Sequence, residues 1–115
     1  MAKAPSVQSH YELLRNSYKF VLAIDKQTNR VVGFITAISD GVLSAYIPLL
    51  EVLPSYQKQG IGGKLVQLML EELSNIYMVD LICDEHLQDY YVRFGLLKAK
   101  GMITRNFAYQ AGRLS

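Results

Sequence analysis

Gln57-Lys58-Gln59-Gly60-Ile61-Gly62-Gly63-Lys64 joins an apolar run, residues 44–53, to an apolar-periodic segment, residues 61–73. A strand that ends in a glycine-rich turn and feeds a helix leaves several backbone N–H groups without partners. Those groups, together with the helix dipole, make a site for a phosphate or pyrophosphate. Glycine at 60, 62 and 63 lets the main chain approach such an anion without Cβ atoms in the way. The stretch therefore predicts a ligand gripped by its phosphates, and Lys58 and Lys64 flank the turn as supporting cations.

Two common phosphate-binding patterns fail on spacing. A P-loop needs four residues between its first glycine and a Gly-Lys pair, followed by Ser or Thr. Here Lys64 is followed by Leu65, and Lys58 stands where the first glycine belongs. A dinucleotide fingerprint needs G-x-G-x-x-G, and Leu65 takes the place of its third glycine.

Length and composition set the frame. A chain of 115 residues, half of them hydrophobic, suits one folded domain over residues 1–115. A net charge of +2 does not argue for a nucleic-acid partner. The longest apolar tract, residues 42–53, contains Pro48 and Glu51 and is too short to span a bilayer, so no membrane association is expected. The one cysteine, Cys83, rules out an internal disulfide framework. Without a hydrophobic leader at the N-terminus, the reducing cytoplasm is the expected compartment. His10 and His86 have no ligand-spaced partners, so no metal is expected.

The periodicities alternate between helix and strand. Val7, Tyr11, Leu14 and Tyr18 predict a helix over residues 6–17, and Tyr11 and Tyr18 read as core residues or as the wall of a substrate pocket. Residues 20–25 and 31–38 predict two strands around a hairpin-like connection, and Asp40-Gly41 marks a second turn. Residues 43–53 predict a third strand, in which Pro48 implies a bulge or a local splay. A helix over 61–75 presents Ile61, Leu65, Leu68, Met69 and Leu73 on one face. A buried strand over 77–83, a helix over 86–97 ending near Gly95, a terminal strand over 101–108 and a loose tail complete the pass.

Gln57, Gly60 and Gly62 fit Q/R-x-x-G-x-G/A, which resembles the acetyl-coenzyme A loop of GNAT-type N-acetyltransferases. Tyr90-Tyr91-Val92-Arg93-Phe94-Gly95-Leu96 is similar to that family's F-Y-x-x-x-G-F signature, with Tyr90 for Phe and Leu96 for the final aromatic. The resemblance covers residues 20–107. It implies an α/β fold whose mixed, mostly antiparallel central sheet is flanked by helices and has a splayed fourth strand. Acetyl-CoA would be the co-substrate, with the backbone of Leu50 and Val52 on its pantetheine arm. Residues Gln57, Lys58, Gln59, Gly60, Ile61, Gly62, Gly63 and Lys64 would take its pyrophosphate. The chain departs from the family at its front, where the usual first strand has no room. Either the sheet is shorter, or a partner subunit covers the open edge, which makes a homodimer attractive.

The resemblance also supplies roles. Tyr91 occupies the position of the tyrosine that gives a proton to the departing thiolate. The family's basic carboxylate falls at Tyr46 by register, which leaves Glu51 as the nearest acid in that strand. Glu51 reads equally as a surface residue beside the turn, and water can carry the proton instead. Asp84 stands where relatives bond the pantetheine arm, and reads equally as a helix N-cap. Cys83 reads as structural, since no His is placed to activate it, and Tyr90 as core. The expected activity is transfer of an acetyl group to a primary amine of a small molecule or peptide. The alternatives are an idle domain of the same fold that binds coenzyme A, and an unrelated phosphate-binding module.

Overall fold

The computed structural model describes residues 6–113, which fall into two compact units. Residues 17–96 form the first and residues 6–16 with 97–113 the second.

In the first unit a hairpin joins β1 (Lys19–Asp25) to β2 (Arg30–Ser39). Asp25 shapes its turn: the carboxylate accepts the Gln27 N–H at 2.9 Å, and the Asp25 carbonyl accepts the Asn29 N–H at 2.7 Å. Asp40 does the same after β2, accepting the N–H groups of Val42 and Leu43 at 2.8 and 2.9 Å, with Gly41 left-handed at φ +75°. Such Asx turns hold the chain without any apolar burial.

The single strand expected over 43–53 is two strands, β3 (Ser44–Ile47) and β4 (Leu50–Val52). Pro48 has no N–H for a ladder, and the break follows from it. Leu49 restores the pairing by accepting the Thr36 N–H at 3.1 Å. Both pieces run antiparallel to β2, but only β3 pairs with the parallel β5 (Met78–Leu81). The ladder between β3 and β5 ends at Ile47 and Leu81, and beyond it β4 and the chain after β5 part company. The expected splay is therefore present as a break at Pro48. The result is a five-stranded, mostly antiparallel sheet in the order β1-β2-β3-β5, with β4 also on β2.

Helix α2 (Ile61–Glu72) covers one face of this sheet. Leu65, Val66, Met69 and Leu73 are at most 2 % exposed and pack on Ile35, Ala37, Ala45 and Ile47. Each such burial is worth about 1.5–3 kcal/mol relative to exposure. The strand expected to be buried over 77–83 is shorter and only alternately half-buried, because β5 is the last strand of the sheet. The helix expected over 86–97 shrinks to a 3₁₀ turn, Glu85–Leu87, and the short α3 (Gln88–Val92), and Gly95 follows at φ +95°.

Gly33 sets how closely β4 lies on β2. A Cβ there would stand 3.0 Å from the Glu51 carbonyl oxygen and 3.3 Å from Val52 Cγ2. Backbone in a ladder cannot yield, so Gly33→Ala is expected to lower the unfolding free energy by about 1–3 kcal/mol. Gly101→Ala meets open space and serves as the control in thermal unfolding followed by circular dichroism. An unchanged midpoint for Gly33→Ala would contradict the close approach.

In the second unit, α1 (Val7–Arg15) is capped by Ser6, whose hydroxyl accepts the Ser9 N–H at 3.1 Å. The helix ends two residues earlier than expected, where Asn16 Nδ2 donates to the Glu12 carbonyl at 2.8 Å. Tyr11 is exposed, and Tyr18 of the first unit is 39 % exposed, so the anticipated core role of these two tyrosines is not met. No strand forms over 101–108. Met102 and Phe107 are exposed, and extended chain without a ladder partner does not count as sheet. The tail is ordered by a 3₁₀ turn, Phe107–Tyr109, closed by Gly112 donating to the Tyr109 carbonyl at 2.9 Å. The last two residues of the expected tail, Leu114 and Ser115, lie outside the described residues.

Candidate active site

The glycine turn has the geometry that an anion requires. Lys58 and Gly60 are both left-handed, at φ +63° and +85°, and a lysine in that region is uncommon enough to mark a constrained loop. Gly60 is the N-cap of α2, with no side-chain cap and nothing within 4 Å of where its Cβ would be. The first backbone bond of the helix runs from Lys64 N–H to the Gly60 carbonyl at 3.1 Å. The N–H groups of Ile61, Gly62 and Gly63 precede it and have no intrahelical acceptor. No acidic residue lies in this first turn to compete for them.

Neighbouring side chains fix the turn. Gln57 Nε2 donates to the Val52 carbonyl at 2.9 Å, and Gln59 Nε2 to the Ser55 carbonyl at 3.4 Å. The Gln57 amide is thereby committed to holding the loop on β4. Tyr56 Oη donates to Asp25 Oδ2 at 2.6 Å, which ties the turn to the end of β1. That bond holds the Asp25 carboxyl below its ordinary range and pushes the Tyr56 phenol up. Nothing in the residue pattern announced this pair, because its partners are 31 positions apart.

The three glycines divide their work. A Cβ on Gly63 would meet the Phe94 ring at 3.3 Å and the Tyr90 hydroxyl at 3.4 Å. Gly63 therefore lets α3 pack against the start of α2, while Gly60 keeps the ligand side open. Tyr90 and Phe94 meet edge-on, with ring centres 5.3 Å apart, and the Arg93 guanidinium lies 5.0 Å over the Tyr90 ring. Arg93, to which the sequence assigned no role, thus stacks on the aromatic pair that packs against Gly63.

Where β4 and the chain after β5 separate, a cavity of about 280 Å³ opens. Leu50, Pro48, Cys83, Asp84 and Tyr91 line it, with Val66 of α2 at its floor. The β2–β4 register turns the N–H and C=O of Leu50 and Val52 away from β2: Thr36 bonds to Leu49, and Leu53 N–H donates to the Val32 carbonyl at 2.8 Å. Burial pushes the Tyr91 phenol above its usual value of 10.0, with smaller contributions from Cys83 and Tyr90. Tyr91 therefore enters the cavity as a protonated hydroxyl.

Two other candidates stand differently. Glu51 is exposed, and its neighbours Leu50 and Val52 pack toward the core, so its side chain lies on the sheet face away from the cavity. The structure does not bring it to Tyr91. Asp84 is the N-cap of the Glu85–Leu87 turn but makes no side-chain cap bond; its carbonyl accepts the Leu87 N–H at 2.9 Å, and the residue lines the cavity. Lys58 and Lys64 are exposed on the turn and the first helical turn. Among the described residues no three His, Cys, Asp or Glu side chains group as metal ligands, and no helix is long and apolar enough to cross a membrane.

Comparison with known proteins adds the lineage. The sequence model of the acetyltransferase (GNAT) family matches residues 2–96. A crystal structure from Deinococcus radiodurans R1, provisionally assigned as an acetyltransferase, is 40 % identical; it aligns over 96 % of this chain and 76 % of its own, with a TM-score of 0.90. A GNAT-family acetyltransferase from Streptococcus pneumoniae TIGR4 is 32 % identical over 89 % of this chain and 81 % of its own, with a TM-score of 0.74. Glucosamine-6-phosphate N-acetyltransferase of Arabidopsis thaliana shares the fold alone, at 13 % identity over 87 % and 76 % and a TM-score of 0.72. No curated protein matches the chain. The family match runs from the N-terminal segment through the glycine turn to the end of the Tyr90–Leu96 stretch, and on that ground the chain belongs to the acetyltransferase (GNAT) family.

Proposed function

We propose that this protein moves the acetyl group of acetyl-CoA onto a primary amine of a small molecule or peptide, in the cytoplasm and as a homodimer. The observation that carries the reading is Tyr91, a phenol that lines the cavity between β4 and the chain after β5 together with Leu50 and Asp84. The coenzyme fits the residues present, because Gly60 leaves open space before α2 and the cavity has an apolar floor. It supplies an acetyl group activated as a thioester.

The chain does the rest. The N–H groups of Ile61, Gly62 and Gly63 bind the pyrophosphate, with Lys58 and Lys64 alongside. The outward N–H of Val52 and both backbone groups of Leu50 orient the pantetheine arm, since Gln57 already occupies the Val52 carbonyl. Tyr91 holds a proton for the departing sulfur, whose thiol pKa is roughly 8.5. With Glu51 on the far face, the amine gives up its proton to water. That position of Glu51 also supports a second reading, an idle domain that binds coenzyme A without turnover.

Calorimetric titration with acetyl-CoA, with ATP as control, tests both. Micromolar or tighter acetyl-CoA binding with silent ATP is the expected result, and acetylation of one member of an amine panel then separates transferase from idle binder. Absence of acetyl-CoA binding would overturn both readings, and an ATP signal in its place would mean an unrelated phosphate module.

A further inference from the structure

The β1–β2 hairpin is not a regular ladder to its tip. Ala23 stands opposite Gly33 but Ile24 stands opposite Val31, so Val32 is an extra residue of β2. A bulge of this kind sharpens the local twist and re-aims the side chains beyond it. Asp25 lies just past the bulge, and its Oδ2 accepts Tyr56 Oη at 2.6 Å. β1 and β4 pair with the same residues of β2, Gly33 to Ile35, and so lie on opposite sides of it. The bond from Asp25 therefore crosses β2 to reach the segment after β4. The bulged residue is held from that side too, since the Val32 carbonyl accepts the Leu53 N–H at 2.8 Å.

The other bonds of the anion turn are local. Tyr56 N–H donates to the Leu53 carbonyl at 2.9 Å, and Gln57 N–H to the Pro54 carbonyl at 3.3 Å. The side chains of Gln57 and Gln59 reach back five and four positions. Such bonds shape the turn and travel with it. Among the described residues, Asp25 is the hydrogen-bond partner that residues 54–59 find outside β4 and the turn itself. Two positions after Tyr56, Lys58 holds a left-handed backbone at φ +63°. A non-glycine residue keeps that conformation where its surroundings over-determine it.

We infer that Asp25 and Tyr56 are positioning residues for the coenzyme turn, through which the β1–β2 hairpin sets the affinity for acetyl-CoA. The inference rests on the coenzyme site proposed above. The bond acts through the backbone of residues 57–60 and not on the reacting atoms. With the strut in place the turn is ordered before the ligand arrives, so binding does not have to order it. A turn that holds its binding shape only about a tenth of the time binds about 10-fold more weakly. The effect belongs to the pyrophosphate end of the coenzyme, because neither Asp25 nor Tyr56 lines the cavity.

Equilibrium binding to the folded protein, well below its thermal midpoint, tests the pair. Tyr56→Phe keeps the ring and removes the donor, and is expected to weaken acetyl-CoA binding about 10-fold. Asp25→Ala removes the acceptor and should weaken it at least as far. In the Asp25→Ala background Tyr56→Phe should add nothing, since the bond is already gone. Acetyl-pantetheine, which lacks the pyrophosphate, should bind the wild-type protein and the variants within about twofold of one another. A general loosening of the fold would weaken both ligands alike. Unweakened acetyl-CoA binding by Tyr56→Phe, equal losses for the two ligands, or a further loss in the double variant would each overturn the inference. Should one single variant fail to fold, the other decides. A wild-type protein that binds no acetyl-CoA would overturn the coenzyme reading itself, and this inference with it.

Discussion

Tyr91→Phe is expected to cut the turnover of acetyl transfer by about 100-fold while acetyl-CoA binds within about twofold of its original affinity. The substitution removes one oxygen and keeps the ring, so the cavity wall beside Leu50, Asp84 and Cys83 stays in place. What is lost is a proton positioned for the leaving sulfur, and that loss is felt at the transition state rather than in binding. The direction of the Tyr91 shift adds a signature. A phenol pushed above 10.0 by burial keeps its proton through neutral and mildly alkaline pH. Turnover of the wild-type protein should therefore not fall on account of Tyr91 below about pH 10. Steady-state kinetics across pH, paired with calorimetry, measures both effects. Equal turnover in the two proteins would remove Tyr91 from the reaction.

Gly62→Asp separates binding from folding. A Cβ at this position meets the Tyr90 hydroxyl at 3.6 Å and Val52 Cγ2 at 3.9 Å, both ordinary contacts. A carboxylate in the first turn of a helix also favours the helix dipole, so the thermal midpoint should hold or rise slightly. The same carboxylate would stand within a few ångströms of a bound pyrophosphate. Like charges at that range cost on the order of 3 kcal/mol at an effective dielectric constant near 20, which is about 100-fold in affinity. A folded protein with acetyl-CoA affinity reduced at least that far is the expected outcome. Retained affinity would show that the coenzyme does not use this turn.

The glycine turn was legible because its spacing is a local property of a few adjacent residues. Gln57, Gly60 and Gly62 could be read without knowing the rest of the chain, and Pro48 announced the break between β3 and β4. Elements that depend on distant partners were harder. The buried look of 77–83 came from its composition, yet β5 ends the sheet and half its side chains face out. The strand expected over 101–108 has suitable residues but no ladder. Glu51 could be placed in β4 but not on a face, since one residue of register decides which side of the sheet a side chain takes. Arg93, Phe94 and the Asp25–Tyr56 bond matter through contacts that no spacing rule encodes.

The packing of Phe94 and Tyr90 into the space left by Gly63 makes the start of α2 and the whole of α3 one mechanical piece. Tyr91 belongs to that piece, next in the chain to Tyr90 and edge-on to its ring at 5.2 Å. In the proposed reaction, the grip on the far, non-reacting end of the coenzyme would also set where the proton donor stands. Affinity for a part of the substrate that never changes would then be converted into alignment at the bond that breaks.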